Sequence, residues 1–178
     1  MNKRTAQDMH RLSVEQFRQA EKIPLVVVLD NVRSQHNIGA VFRTADAFRV
    51  REVVLCGICC CPPNQEIHKT ALGAEQSVAW TYYASTEEAL QHLRQEGYTL
   101  LAVEQVHDSI ALQDIADRLK PDGQYALILG HEVFGVSQQV VDMADACIEI
   151  PQFGTKHSLN VSVAAGISMY AFQQFLTR

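Results

Sequence analysis

The segment KIPLVVVLD at residues 22–30, followed by NIGAVFRTADAF and then by EVVLCGI at residues 52–58, most limits the folds open to this chain. The first and third segments carry short β-branched apolar runs, the pattern of strands buried on both faces. Between them, Ile38, Val41, Phe42, Ala45 and Phe48 recur at helical spacing. Strand, helix and strand in that order make a βαβ unit, whose crossover sets the two strands parallel.

The alternation continues to the end of the chain. EIHKTALGAE reads as a short helix ending near Gly73, and SVAWTYY as a strand. STEEALQHLRQEG reads as a helix capped by Ser85, with Glu88 three residues on, and stopped at Gly97. YTLLAVEQ, QYALILG and ACIEIP are three further strands, and a last helix runs from about Ser158 to Phe175. Strands alternating with helices predict an α/β fold, a mostly parallel sheet flanked by helices on both faces. At 178 residues, with no repeat and no Gly/Ser or proline-rich linker, one domain over 23–178 is expected. Residues 1–22 read as a basic amphipathic N-terminal extension, chiefly a helix. They lack the apolar core of a secretory signal, and no apolar run reaches the length of a membrane span, so a soluble cytoplasmic protein without membrane contact is expected.

Charge is unevenly divided. Residues 1–51 hold nine Lys or Arg against five Asp or Glu, a net of +4, whereas the remainder carries −9. The acidic total argues against strong non-specific nucleic-acid binding, while a local basic face can still meet a few phosphates. The run CGICCC contains one C-x-x-C spacing, but no second pair completes a zinc site, and His68 is the only histidine close to it. Cys56, Cys59, Cys60, Cys61 and Cys147 read first as small buried hydrophobes, with a redox or metal role as the alternative. No metal site is expected.

Ligands of such sheets bind where loops leave the carboxyl ends of the strands. Three loops qualify: DNVRSQHN, GHEVFGVS and PQFGTKHSLN. None is a glycine-rich phosphate loop of the dinucleotide or nucleoside triphosphate type. Each polar residue in them has two readings. Asn37 is placed to cap a helix starting at Ile38, and Ser158 to cap the last helix with Asn160 in its first turn. Arg43 is either a surface cation or a functional one. The glycines around Glu132 either make a tight turn or let the backbone approach a ligand.

Taken together, NVRSQHNIGAVFRTADAF, LILGHEVFGVS and IEIPQFGTKHSLNVSVAAGI resemble, in order and spacing, the three signature motifs of the SpoU (TrmH-like) ribose 2′-O-methyltransferases, a branch of the knotted SPOUT superfamily. The resemblance covers about residues 24–175. Two departures stand out: His131 replaces the usual Asn or Ser, and Val133 and Phe134 make the glycine turn bulkier.

The resemblance implies a deep C-terminal trefoil knot over about residues 125–178, S-adenosylmethionine as cofactor, and methylation of a ribose 2′-hydroxyl in structured RNA. On EQVHDS and TALGAE it favours tRNA; rRNA, or an inactive RNA-binding role, is the alternative. It implies Arg43, Asn37, Ser158, Asn160 and Glu132 as catalytic-site residues. The implied cofactor-binding positions are Ala102, Val103, Glu104, Gly130, Gly135, Ile150 and Leu159. It further implies a homodimer in which Arg43 of one subunit works near the cofactor of the other, consistent with the apolar ISMYAFQQFL.

Overall fold

The computed structural model describes Lys3, Asp8 and residues 11–177. The first helix, α1 (Val14–Gln19), is shorter than the helical extension expected from the sequence. Arg11–Ser13 are irregular, and most of residues 1–10 lie outside the described part. Ser13 and Gln16 form a reciprocal capping box at its start, and buried Phe17 pins it to the core. Its basic residues are engaged in the fold. Arg18 donates to the carbonyl of Gln76 at 2.7 Å, and Lys22 donates to the carbonyls of Phe17 and Ala20.

The strands are β1 (Ile23–Asp30), β2 (Val50–Cys56), β3 (Ala79–Tyr83), β4 (Thr99–Val103), β5 (Ile110–Ala111), β6 (Tyr125–Leu129) and β7 (Ala146–Glu149). They form one seven-stranded sheet in the order β3-β2-β1-β6-β4-β7-β5, and every pairing between them is parallel. The chain therefore builds outward on one side of β1, then crosses to build on the other. A crevice forms at the carboxyl ends where such a sheet reverses direction.

The alternation within VVV decides which helices cover which face. Leu25, Val27 and Leu29 point to a core closed by α2 (Gln35–Ala47), α3 (Gln65–Ala71), α4 (Ala74–Ser77), α6 (Ile115–Arg118) and α8 (Val161–Leu176). Val26 and Val28 point to the other, closed by α5 (Thr86–Gln95) and α7 (Gln138–Met143). A strand buried on both faces must be apolar throughout, which is what the run of β-branched residues supplies. On the α8 side, Tyr125 stands 5.5 Å from Phe172 and 6.2 Å from Phe175, ring centre to ring centre. No helix among the described residues is long and apolar enough to cross a membrane.

Two helix starts differ from expectation. Ser34, not Asn37, caps α2, its hydroxyl accepting the Asn37 N–H at 3.3 Å. Asn160, not Ser158, caps α8, its Oδ1 accepting the Ser162 N–H at 2.9 Å. Both shifts change what the remaining polar side chains are free to do.

Candidate active site

The β1–α2 loop leaves the sheet through Asn31, which adopts a left-handed conformation (φ 55°). Its side-chain amide donates to Asp30, and its carbonyl oxygen accepts the Ile58 N–H, so the turn is fastened to the neighbouring loop. Asp30 is buried and also accepts from the Thr86 hydroxyl at 2.5 Å and from the Ser137 N–H at 3.4 Å. One carboxylate thus ties the end of β1 to the starts of α5 and α7. A buried carboxylate is tolerable only when hydrogen-bonded in this way.

The β6–α7 loop folds back on itself. His131 and Gly135 exchange backbone hydrogen bonds of 3.0 and 2.9 Å, closing a tight turn around Glu132, Val133 and Phe134. Gly135 has φ 66°, and its missing Cβ makes room for the Glu104 carboxylate, which reaches from the end of β4 to accept the Val136 N–H at 2.9 Å. Gly130 packs against the backbone of Gly135 and Val136, where a Cβ does not fit.

Glu132 joins this loop to the first one. Its carboxylate accepts the backbone N–H of Ser34 at 2.8 Å, that of Arg33 at 3.0 Å and the side-chain amide of Asn37 at 3.0 Å. Burial by itself raises its pKa. The donated hydrogen bonds of Arg33, Ser34 and Asn37 outweigh that and hold the carboxyl below its ordinary range. Asn37, freed from capping, in turn accepts on its Oδ1 from Asn160 Nδ2 at 3.2 Å. Glu132, Asn37 and Asn160 therefore form a row that crosses all three loops.

Behind this row lies a pocket of about 370 Å³ at the carboxyl ends of β4, β6 and β7. Val103, Glu104, Gly130, Gly135, Ile150 and Leu159, all expected at a cofactor site, line it, as do Ser158 and Glu132. Ala102 does not: it sits inside β4 with its side chain in the core shared with α5 and α7. Asn37 and Asn160 stand at the row rather than on the pocket wall. Arg43 is exposed on the outer side of α2, and no hydrogen bond or ion pair among the described residues engages its guanidinium. Six residues of helix set it about 9 Å along the axis from Asn37.

The structure adds wall residues that the sequence reading did not single out. Leu129, Ile148, Val161 and Ala164 extend the apolar side, and Gln105, Glu149, Gln152 and His157 the polar side. Gln105 directly follows Glu104 and Gln152 lies within the expected loop PQFGTKHSLN, so position was the only available signal; nothing in their type marks them. The lining combines apolar side chains with carboxylates and amides. That suits a nucleoside-sized ligand with a neutral ring at one end and polar or cationic groups at the other.

The cysteines take no part. All five are free, and burial pushes the Cys56 thiol up to about 12 and that of Cys59 up to about 11, against nucleophilic use. Among the described residues, no group of His, Cys, Asp or Glu is placed to hold a metal ion.

Known proteins share this arrangement. The SpoU rRNA Methylase family pattern matches residues 24–170. A tRNA (guanosine(18)-2′-O)-methyltransferase of Thermus thermophilus is 31% identical over 174 residues, covering 98% of this chain and 86% of that protein. The 23S rRNA (guanosine-2′-O-)-methyltransferase RlmB of Vibrio vulnificus is 32% identical over 149 residues, 83% of this chain but 58% of its own length. In three dimensions, the AdoMet-bound rRNA methyltransferase of Sinorhizobium meliloti superimposes with a TM-score of 0.79 at 25% identity, over 91% of this chain and 61% of that one. A family pattern that spans both the sheet and the three loops joined by the Glu132–Asn37–Asn160 row leaves one assignment: the chain belongs to the SpoU rRNA methylase family.

Proposed function

We propose that this protein transfers a methyl group from S-adenosylmethionine to a ribose 2′-hydroxyl of structured RNA, acting as a cytoplasmic homodimer. The observation that carries the reading is the Glu132–Asn37–Asn160 row, which joins one residue from each of the three loops beside a pocket that Glu132 lines. In support of tRNA as substrate, the tRNA-modifying relative matches this chain over 86% of its own length, against 58% for the rRNA-modifying one. Ribosomal RNA is the second substrate to test. An inactive RNA-binding role would be favoured by loss of Arg43, Asn37 or Asn160, and all three are present.

The pocket fits S-adenosylmethionine by its donor set. Leu129, Ile148, Ile150 and Leu159 suit a neutral adenine, and Glu104 and Glu149 suit the cationic methionine portion. When bound, the cofactor supplies an electrophilic methyl group on a sulfonium centre, open to in-line displacement by the hydroxyl. The hydroxyl is a very weak acid and must be oriented as its proton leaves. The guanidinium of Arg43 stays protonated, so its part is to orient the hydroxyl and stabilise the developing oxyanion, with a substrate phosphate taking the proton. Ser158 touches the reacting ribose from the pocket wall. Glu132, Asn37 and Asn160 are positioning residues, because their polar atoms are committed to one another and to the backbone.

Arg43 stands outside the pocket wall of its own chain, which supports its serving the pocket of a second copy. A stripe on α8, made of Val163, Ile167 and Tyr170, is apolar and 40–54% exposed, and supports the same dimer. The proposal extends to a trefoil knot over about residues 125–178 and to a domain at 23–178 preceded by the basic extension at 1–22. Incubation of the purified protein with methyl-labelled S-adenosylmethionine and bulk tRNA, then bulk rRNA, tests the activity. Label enters tRNA if the reading holds; label in neither RNA, with cofactor binding measured, sinks it.

A further inference from the structure

Two aromatic side chains that the core does not use are carried by loops that line the pocket. Phe134, in the β6–α7 loop, is 82% exposed, and Phe153, in the β7–α8 loop, is 96% exposed. Singly scattered apolar residues on a surface need no explanation. These two occupy two of the three loops that build one pocket: Phe134 lines it, and Phe153 directly follows Gln152, which lines it.

The Phe134 ring is held in place. It packs against the imidazole of His131, with centroids 5.0 Å apart and planes 34° apart. His131 is itself clamped by its two backbone bonds to Gly135, and its Nδ1 accepts the Val133 N–H at 3.0 Å. These contacts fix the orientation of the imidazole against the Phe134 ring. The result is a pre-oriented pair of flat rings at the pocket, with Phe134 facing solvent, which loses little entropy when another flat group is added.

An unpaired nucleobase is the group this surface fits. A ribose that enters a pocket bounded by loops brings its nucleotide out of the RNA stack, and the lost stacking is regained on aromatic side chains. Every base has a π-face, so such a platform holds bases without reading their sequence. The apolar stripe of α8 is a separate surface on a different element.

We propose that Phe134, backed by His131, and Phe153 form a stacking platform for unpaired bases next to the ribose being methylated. The proposal rests on the RNA-methylating reading of the same pocket. The test compares the wild type with Phe134→Ala, Phe153→Ala, Phe134→Leu and Phe134→Trp. It measures the Kd for bulk tRNA by filter binding, the S-adenosylmethionine Kd by calorimetry, and oligomeric state by sedimentation.

Each alanine variant is expected to weaken tRNA binding roughly five- to hundred-fold, the range for one lost base–aromatic stack, with cofactor affinity and sedimentation unchanged. Leu, which keeps apolar bulk without a π-face, should not restore binding. Trp should restore it, and its emission should be quenched when tRNA is added. The proposal is overturned if both alanine variants bind tRNA within twofold of wild type, or if the loss instead follows cofactor affinity or dissociation into monomers. Because binding is read directly, a wild type that binds tRNA but methylates no RNA defeats the activity reading while leaving the platform to be judged by these affinities.

Discussion

Glu132 is the residue on which the site's geometry turns, because its carboxylate meets two backbone N–H groups and one amide at once. Glu132→Ala leaves those three donors without their acceptor. We expect a loss of about 1–3 kcal/mol of stability in urea unfolding, together with a steep fall in kcat. The sign of its pH dependence follows from its lowered pKa. A carboxyl held below its unfolded value, ordinarily about 4.3, stabilises the fold fully above that value and loses the contribution as pH falls through the folded value. Urea unfolding of Glu132→Gln should therefore show a flatter decline below about pH 4 than the wild type. An unchanged acid limb would show that Glu132 does not hold the Glu132–Asn37–Asn160 row together. Arg43 is the contrasting case. Exposed and unpartnered among the described residues, it should change stability by less than about 0.5 kcal/mol when replaced by Ala, yet cost on the order of 10² to 10³ in rate. Full activity in Arg43→Ala would remove its role.

Asn160 works on the scale of an element, since one side chain caps α8 through its oxygen and reaches Asn37 through its nitrogen. The two duties separate by substitution. Asn160→Asp keeps a capping oxygen and loses the donor, so melting should stay close to wild type while activity falls. Asn160→Ala loses both and should cost about 1 kcal/mol as well. Equal melting losses in the two variants would contradict this division. The cap was also where the sequence could be misread. Ser158 and Asn160 are both strong capping types two residues apart, as are Ser34 and Asn37 three apart, and local chemistry does not choose between them. In both loops the side chain that turned out not to cap its helix is the one available to the site: Asn37 for the row and Ser158 for the pocket wall. The long strands and helices were legible because VVV and ALIL leave no polar face. The two-residue β5 was not, being too short to show a period.

For the whole molecule, the periodicities carried the α/β class but not the strand order. Nothing local says that β6 inserts between β1 and β4, and that insertion sets Glu132 beside Asn37, 95 residues away in sequence. Likeness of the three loops to a family suggested that they belong together; packing of the sheet sets Glu132, Asn37 and Asn160 in one row beside the pocket. The dimer is a claim at this scale too. Ile167→Glu on the exposed stripe of α8 should yield a monomer by sedimentation and lose activity with its cofactor affinity largely intact, whereas an active monomer would show that Arg43 serves its own chain. The central claim concerns one atom of the RNA. Wild-type protein, S-adenosylmethionine and bulk tRNA should be incubated, and the RNA digested to nucleosides and analysed by mass spectrometry. The account predicts a new 2′-O-methylribonucleoside, carrying the added mass on the sugar, that is absent with Arg43→Ala; a methyl group on the base would contradict it.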